Sequence, residues 1–166
     1  MKGQKWLFLA SWVLLLLLFA SVAAYSSLVS LGRAYFGNQD IWATVEMDGR
    51  AKAIGLEQIQ EIGGDQAVKA FRGRRATAGA SAFGYALLAI FVVLFPYRRG
   101  ERWAWFALLV SVVLSQLFSL GRVFILGSVL GAGAALTVLA VTLLGLLAGA
   151  PHIFAKRTLE DFEEVK

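Results

Sequence analysis

The chain contains no cysteine and a single histidine, His152, in 166 residues. Without cysteine there is no disulfide, no thiolate nucleophile and no Cys-ligated zinc or iron–sulfur centre. One histidine cannot build a His-rich metal or haem site within one chain. Charge is scarce as well: 16% of residues, against about 25% in a soluble domain. It is also unevenly spread. The blocks 6–32, 76–97, 103–121 and 123–155 hold 101 residues without one Asp, Glu, Lys or Arg. Proton relays and ion pathways usually carry ionisable groups at mid-membrane depth, and these blocks offer none. The sequence also lacks a Ser/His/Asp grouping, a phosphate-cradling glycine loop and paired carboxylates at a block boundary. The expectation is a non-enzymatic protein with no cofactor and no bound metal.

What the sequence does have is apolar length. Hydrophobic residues make up 58% of the chain, and the mean hydropathy is +0.68. About 20 apolar residues of helix cross the hydrocarbon core of a bilayer, and the four uncharged blocks are each near that length or longer. The predicted fold is an all-α membrane protein. Four transmembrane helices, over about 6–31, 76–96, 103–120 and 123–149, form an antiparallel bundle. One larger extracytoplasmic loop, 33–75, joins the first two, and a tail, 152–166, follows the last. The start, Met1 to Lys5 followed by Trp6–Leu18, has the layout of a signal peptide, and Ser21-Val22-Ala23 offers a cleavage site. The apolar run nevertheless continues to Leu31, which favours an uncleaved signal anchor.

The segment 33–75 holds 13 of the 27 charged side chains. Residues 41–47 alternate in the manner of a short strand and end at Asp48-Gly49, a turn signal. Leu56, Ile59 and Ile62 share a helical face that meets Gly63-Gly64, a helix stop, and Asp65 can cap a second helix running on towards the second span. Pro96 is the predicted end of that span, and the fourth fades at Gly149-Ala150-Pro151.

Lys and Arg in short loops prefer the cytoplasm. Arg98, Arg99 and Arg102 occupy the tightest loop, and Lys2, Lys5, Lys156 and Arg157 fall on its side of a four-span layout. Both termini are therefore expected in the cytoplasm, with the chain in the cytoplasmic membrane. Trp6, Tyr97, Trp103 and Trp105 would gather at the headgroup level there. The net charge of +5 is scattered at block ends and forms no continuous basic face, so nucleic acid is not an expected partner. The bilayer is, together with a second copy or a larger membrane assembly.

Three groups of residues stand out. Ser30-Leu31-Gly32-Arg33 is echoed by Ser119-Leu120-Gly121-Arg122. Arg33 and Arg122 could meet an anion or lipid headgroup, or serve as helix-end cations beside glycine caps. Ser111, Ser115 and Ser119 recur every four residues, with Gln116 adjacent, as a polar seam that Ser26 and Ser30 repeat on the first span; such hydroxyls act as interhelical glue or line a path. Gly127, Gly131 and Ala135, and Ala80 and Gly84, are small-residue patterns that let helices approach closely.

The stretch Phe95-Pro-Tyr-Arg-Arg-Gly-Glu-Arg-Trp-Ala-Trp105 resembles a loop of small, uncharacterised bacterial four-helix integral membrane proteins. The resemblance implies a bacterial origin and a cytoplasmic-membrane location, and carries no activity or site residue. The expected role is an accessory or scaffold subunit acting through helix packing. The alternatives are an oligomeric transporter or channel for ions or small solutes, and a lipid-binding membrane protein.

Overall fold

A computed structural model describes residues 2–36, 43–47, 50–126 and 131–163, and side chains at 4–32, 34–35, 55, 57–121, 123–125 and 131–155. Helix α1 (Lys2–Ala24) continues through π-helical turns (Tyr25–Gly32) into a short α2 (Arg33–Phe36). Strands β1 (Ala43–Met47) and β2 (Arg50–Ile54) pair antiparallel with Met47 opposite Arg50. Asp48 and Gly49, predicted to turn there, lie outside the described residues. The long α3 (Leu56–Val92) ends in π-helical turns (Val93–Tyr97), and α4 (Arg102–Leu126) and α5 (Ala132–Glu163) follow. Helices over Gln4–Gly32, Glu57–Tyr97, Arg102–Ile125 and Ala132–Ala155 are long and apolar enough to cross a membrane.

Several boundaries differ from the sequence reading. Within the segment 33–75 drawn as the outer loop, the two helices expected on either side of Gly63-Gly64 are both present, joined as α3, and the second runs on without a break into the second span. The expected stop at Gly63-Gly64 survives as a kink, with Gly64 at φ 65°, and Gln60 reaches over it to donate to the Asp65 carboxylate at 2.8 Å. Gly121 and Arg122 do not end the third span, because α4 runs on to Leu126. A glycine inside a helix costs only about 1 kcal/mol, and the apolar Val123 to Leu126 repays it. Helix α5 begins just after Gly131, whose φ of 74° is open to a residue without a Cβ. Pro96 lies one residue before its helix ends at Tyr97, close to the expected stop, whereas Pro151 does not stop its helix. At Pro96 the backbone shifts to a wider register, with Arg98 N–H donating to Val93 O at 3.1 Å and Glu101 N–H to Pro96 O at 3.0 Å. At Pro151 helix α5 continues to Glu163.

The core sits at the end of the molecule that carries the 98–101 turn, called here the turn end. Phe8, Leu15 and Phe19 of α1 meet Val93, Tyr97, Leu108, Val112, Leu146 and Ile153 there. Helix α1 packs on α5 and α3, and α4 packs on α5 while scarcely touching α3. Helices α1 and α5 approach each other closely. A Cβ placed on Gly145 would lie 2.9 Å from Leu15 Cγ, and one on Gly149 would lie 2.7 Å from Ser11 Oγ and collide with the Tyr97 hydroxyl. Gly149→Ala should therefore destabilise the protein by about 1–3 kcal/mol, the usual cost of overpacking. Gly84 has nothing within 4 Å of a built Cβ, so Gly84→Ala should be neutral or slightly stabilising. Unfolding of the two variants in mild detergent checks the contrast.

Candidate functional site

Two polar regions lie among the helices, one at each end. At the turn end Ser11, Tyr97 and Gly145 form a closed set. Ser11 Oγ donates to the Gly145 carbonyl at 2.7 Å and lies 2.5 Å from the Tyr97 hydroxyl. With the serine proton directed to Gly145, the tyrosine must be the donor in the second bond. Both side chains are buried, so each polar group finds its partner inside the apolar core, as burial demands. Phe8 stacks on Tyr97 and also packs on His152, with ring centroids 4.4 Å apart in the second pair. His152 is thus a packing residue on Phe8. Trp105 donates its indole N–H to Leu146 O at 2.9 Å. Tyr97 and Trp105, predicted at the headgroup level, are instead a buried core residue and a half-buried helix tie. Trp6 and Trp103 are exposed as an interfacial belt requires. These contacts hold the helices together.

The other end is open. A cavity of about 730 Å³ lies between α1 with its π-helical turns, α3, α4 and α5. Its volume falls in the range of sites that take small organic ligands, roughly 300–1,000 Å³. The cause is residue size. Where the turn end presents Phe, Leu, Tyr and Trp, the facing positions here are Ala78, Gly79, Ala82, Gly131, Ala134 and Ala135, which cannot fill the same interhelical space. Ser21, Ser26, Ser30, Gln116 and Ser119 add polar groups to the wall, Leu18, Val22 and Val138 add apolar surface, and Arg75 is the one charged residue among the lining groups.

The π-helical turns supply Tyr25, Ser26 and Ser30 to this wall. π-Helical insertions occur frequently at functional sites. The turns are pressed onto α3 at Gly79, where a built Cβ would lie 2.7 Å from Ser30 Cβ and 3.3 Å from Leu31.

The residues singled out by the sequence divide between contact, cavity and open surface. Ser119 and Gln116 line the cavity, as do Ser26 and Ser30 from the first span. The two Ser-Leu-Gly-Arg echoes therefore bring their serines to one site. Ser111 and Ser115 turn back onto the helix, donating to Leu108 O and Val112 O, and lie against the Tyr85 hydroxyl of α3. Ala135 is buried and lines the cavity with Gly131. Ala80 is exposed and Gly84 faces open space. The close helix approaches within the chain use Gly79, Gly145 and Gly149. Gly127 and the side chains of Arg33 and Arg122 lie outside the described residues.

Sequence reasoning missed Arg75, Tyr85, the Ser11–Tyr97 pair and the three glycines. A signal existed for Gly145 and Gly149, which are four apart on one helix face, but nothing local in the sequence distinguishes them from Gly127 and Gly131.

The molecule is thus a chain of four long apolar helices with an open, part-polar cavity between them at one end. No protein-family model, curated protein or solved structure matches it.

The close contact at Gly79 predicts a coupling. Gly79→Ala should cost about 1–3 kcal/mol, and Ser30→Gly should relieve part of that cost, making the double variant more stable than the two single effects added together. A double-mutant cycle on detergent-unfolding midpoints measures the difference.

Proposed function

We propose that this is an integral membrane protein that binds a membrane amphiphile in the cavity between α1, α3, α4 and α5. The single observation that carries the reading is the cavity itself, with apolar walls, a set of hydroxyls and one arginine. Water-filled pathways and polar solutes ask for polar groups along a continuous route. Here the remaining depth is occupied by buried Leu15, Phe19, Val93, Val112 and Leu146, which favours a blind pocket over a channel within one chain. A hydrocarbon chain suits walls of Leu18, Val22, Ala82 and Val138.

The reading takes the four helices as an antiparallel bundle in the cytoplasmic membrane of a bacterium. Helix α1 beside both α3 and α5, and α4 beside α5, support that arrangement. Both termini and the Arg98–Arg102 turn are placed in the cytoplasm, which puts the cavity in the outer leaflet. The basic turn supports this orientation. The chain has no native cysteine, so single-cysteine labelling is clean. Glu61→Cys should react from the outside and Arg99→Cys only from the cytoplasm; the reverse pattern would invert the orientation.

A helix-packing accessory subunit is the second reading, favoured by α4, where Phe118, Phe124 and Ile125 are each more than 80% exposed. Native mass spectrometry from mild detergent separates the two. Amphiphile binding predicts a retained small hydrophobic ligand, lost when Ala82→Trp or Ala135→Trp fills the cavity in a protein that still folds. A fixed protein partner with no retained ligand, and no effect of either filling variant, supports the accessory role and excludes the first reading.

A further inference from the structure

We infer that the occupant of this cavity carries an anionic headgroup, held at Arg75, with its hydrocarbon chain directed towards the bilayer midplane. The inference rests on the amphiphile reading above and adds the chemical class and orientation of the ligand. Charge comes first. Among the described residues Arg75 is the charged group of the cavity wall, and the α3 stretch leading to it, residues 66–75, contains Lys69, Arg72, Arg74 and Arg75 with no Asp or Glu. A guanidinium matches phosphate or carboxylate with a planar pair of N–H donors. Ser30 and Ser119 stand at the same end of the cavity, and their hydroxyls can add donors to an anion's remaining oxygens.

Depth comes second. Along α3 the lining residues run from Arg75 to Ala82, and along α1 from Ser30 down to Leu18. At about 1.5 Å per residue these intervals are roughly 10 and 18 Å. One leaflet of hydrocarbon is about 15 Å, half of the ~30 Å core. A headgroup at Arg75 thus places a chain along Ser26, Val22 and Leu18, ending where the packed core of Phe19 and Leu15 begins. Along this axis the arginine is at one extreme of the wall, and Leu18, Ala82 and Val138 are at the other. A ligand reversed end for end would bury its anion against those apolar groups and leave its chain at the charged rim.

The test is competition in lipid nanodiscs or detergent, read by native mass spectrometry, with three probes. Two are phosphatidylglycerol and phosphatidylcholine with matched chains, and the third is oleate, an anionic single-chain amphiphile. The wild type should retain phosphatidylglycerol about tenfold better than phosphatidylcholine. Arg75→Gln should abolish that preference while both lipids still bind, and Arg75→Lys should keep part of it. Strong retention of oleate identifies a fatty acid as the source of the anion; retention of phosphatidylglycerol alone identifies a phospholipid. Either result supports an anionic headgroup. Equal retention of the two phospholipids by the wild type, or an unchanged preference in Arg75→Gln, overturns the headgroup assignment while leaving the amphiphile reading intact. Binding of none of the three, with Ala82→Trp behaving as wild type, overturns both. Unfolding midpoints of the Arg75 variants show that each is folded before its lipid profile is read.

Discussion

The close approach of α1 to α5 is the contact on which the rest of the structure depends. In an apolar medium the gain from bringing two helices together comes from packing and hydrogen bonds, because lipid tails are as apolar as leucine. Gly145 and Gly149 remove the side chains that would keep α1 away, and Ser11 then reaches the Gly145 carbonyl. The same serine accepts from Tyr97, at the end of α3. One small hydroxyl thereby joins three helices at a point where an unpaired polar atom would be costly.

From that point the character of the packing changes along the bundle axis. At the turn end large side chains interlock: Phe8 on Tyr97 and His152, Trp105 against Phe106 and Phe154. Arg102 joins them, donating to Phe154 O and lying 5.3 Å from the centre of the Phe154 ring. Towards the other end the facing residues become alanine, glycine and serine, and α4 leaves α3. Two consequences follow from one change in side-chain size. The helices there pack less fully, and the space left between them is shaped and lined in a way that a chain with a polar head can occupy. Rigidity at one end and volume at the other are compatible because the hydroxyl lock does not depend on the open half.

Much of the architecture was legible from local composition. The uncharged blocks predicted four apolar helices, and the alternation of residues 41–47 predicted a strand that β1 realises; its partner β2, where Arg50 and Lys52 alternate with Ala51 and Ala53, was not read as a strand. Helix ends were harder to read. Gly121 and Gly131 look alike in the sequence, and Pro96 and Pro151 both look like stops. Whether a glycine ends a helix depends on the apolar residues beyond it and on the φ it must adopt. Pro96 does sit at a helix end, in the wider turns of Val93 to Tyr97, while Pro151 lies inside α5; residue type alone does not separate the two. The site was half legible. Gln116, Ser119, Ser26 and Ser30 were recognisable as polar residues at helical spacing, but Arg75 sat unnoticed among neighbouring arginines. Ser111 and Ser115, identical in type and spacing to Ser119, turned out to face Tyr85 instead of the cavity.

The sequence alone determined that this chain has four helices of membrane-spanning length and apolarity, and it excluded thiol chemistry. Those properties follow from transfer free energy and residue type, which are additive along a chain and need no knowledge of neighbours. The tertiary structure decided which glycines meet a helix, which serines share a cavity, and that Tyr97 belongs to the core. Such outcomes depend on the rotation and separation of helices distant in sequence. A shift of an ångström or two between α1 and α5 would exchange a hydroxyl bond for a collision, and no local pattern encodes that distance.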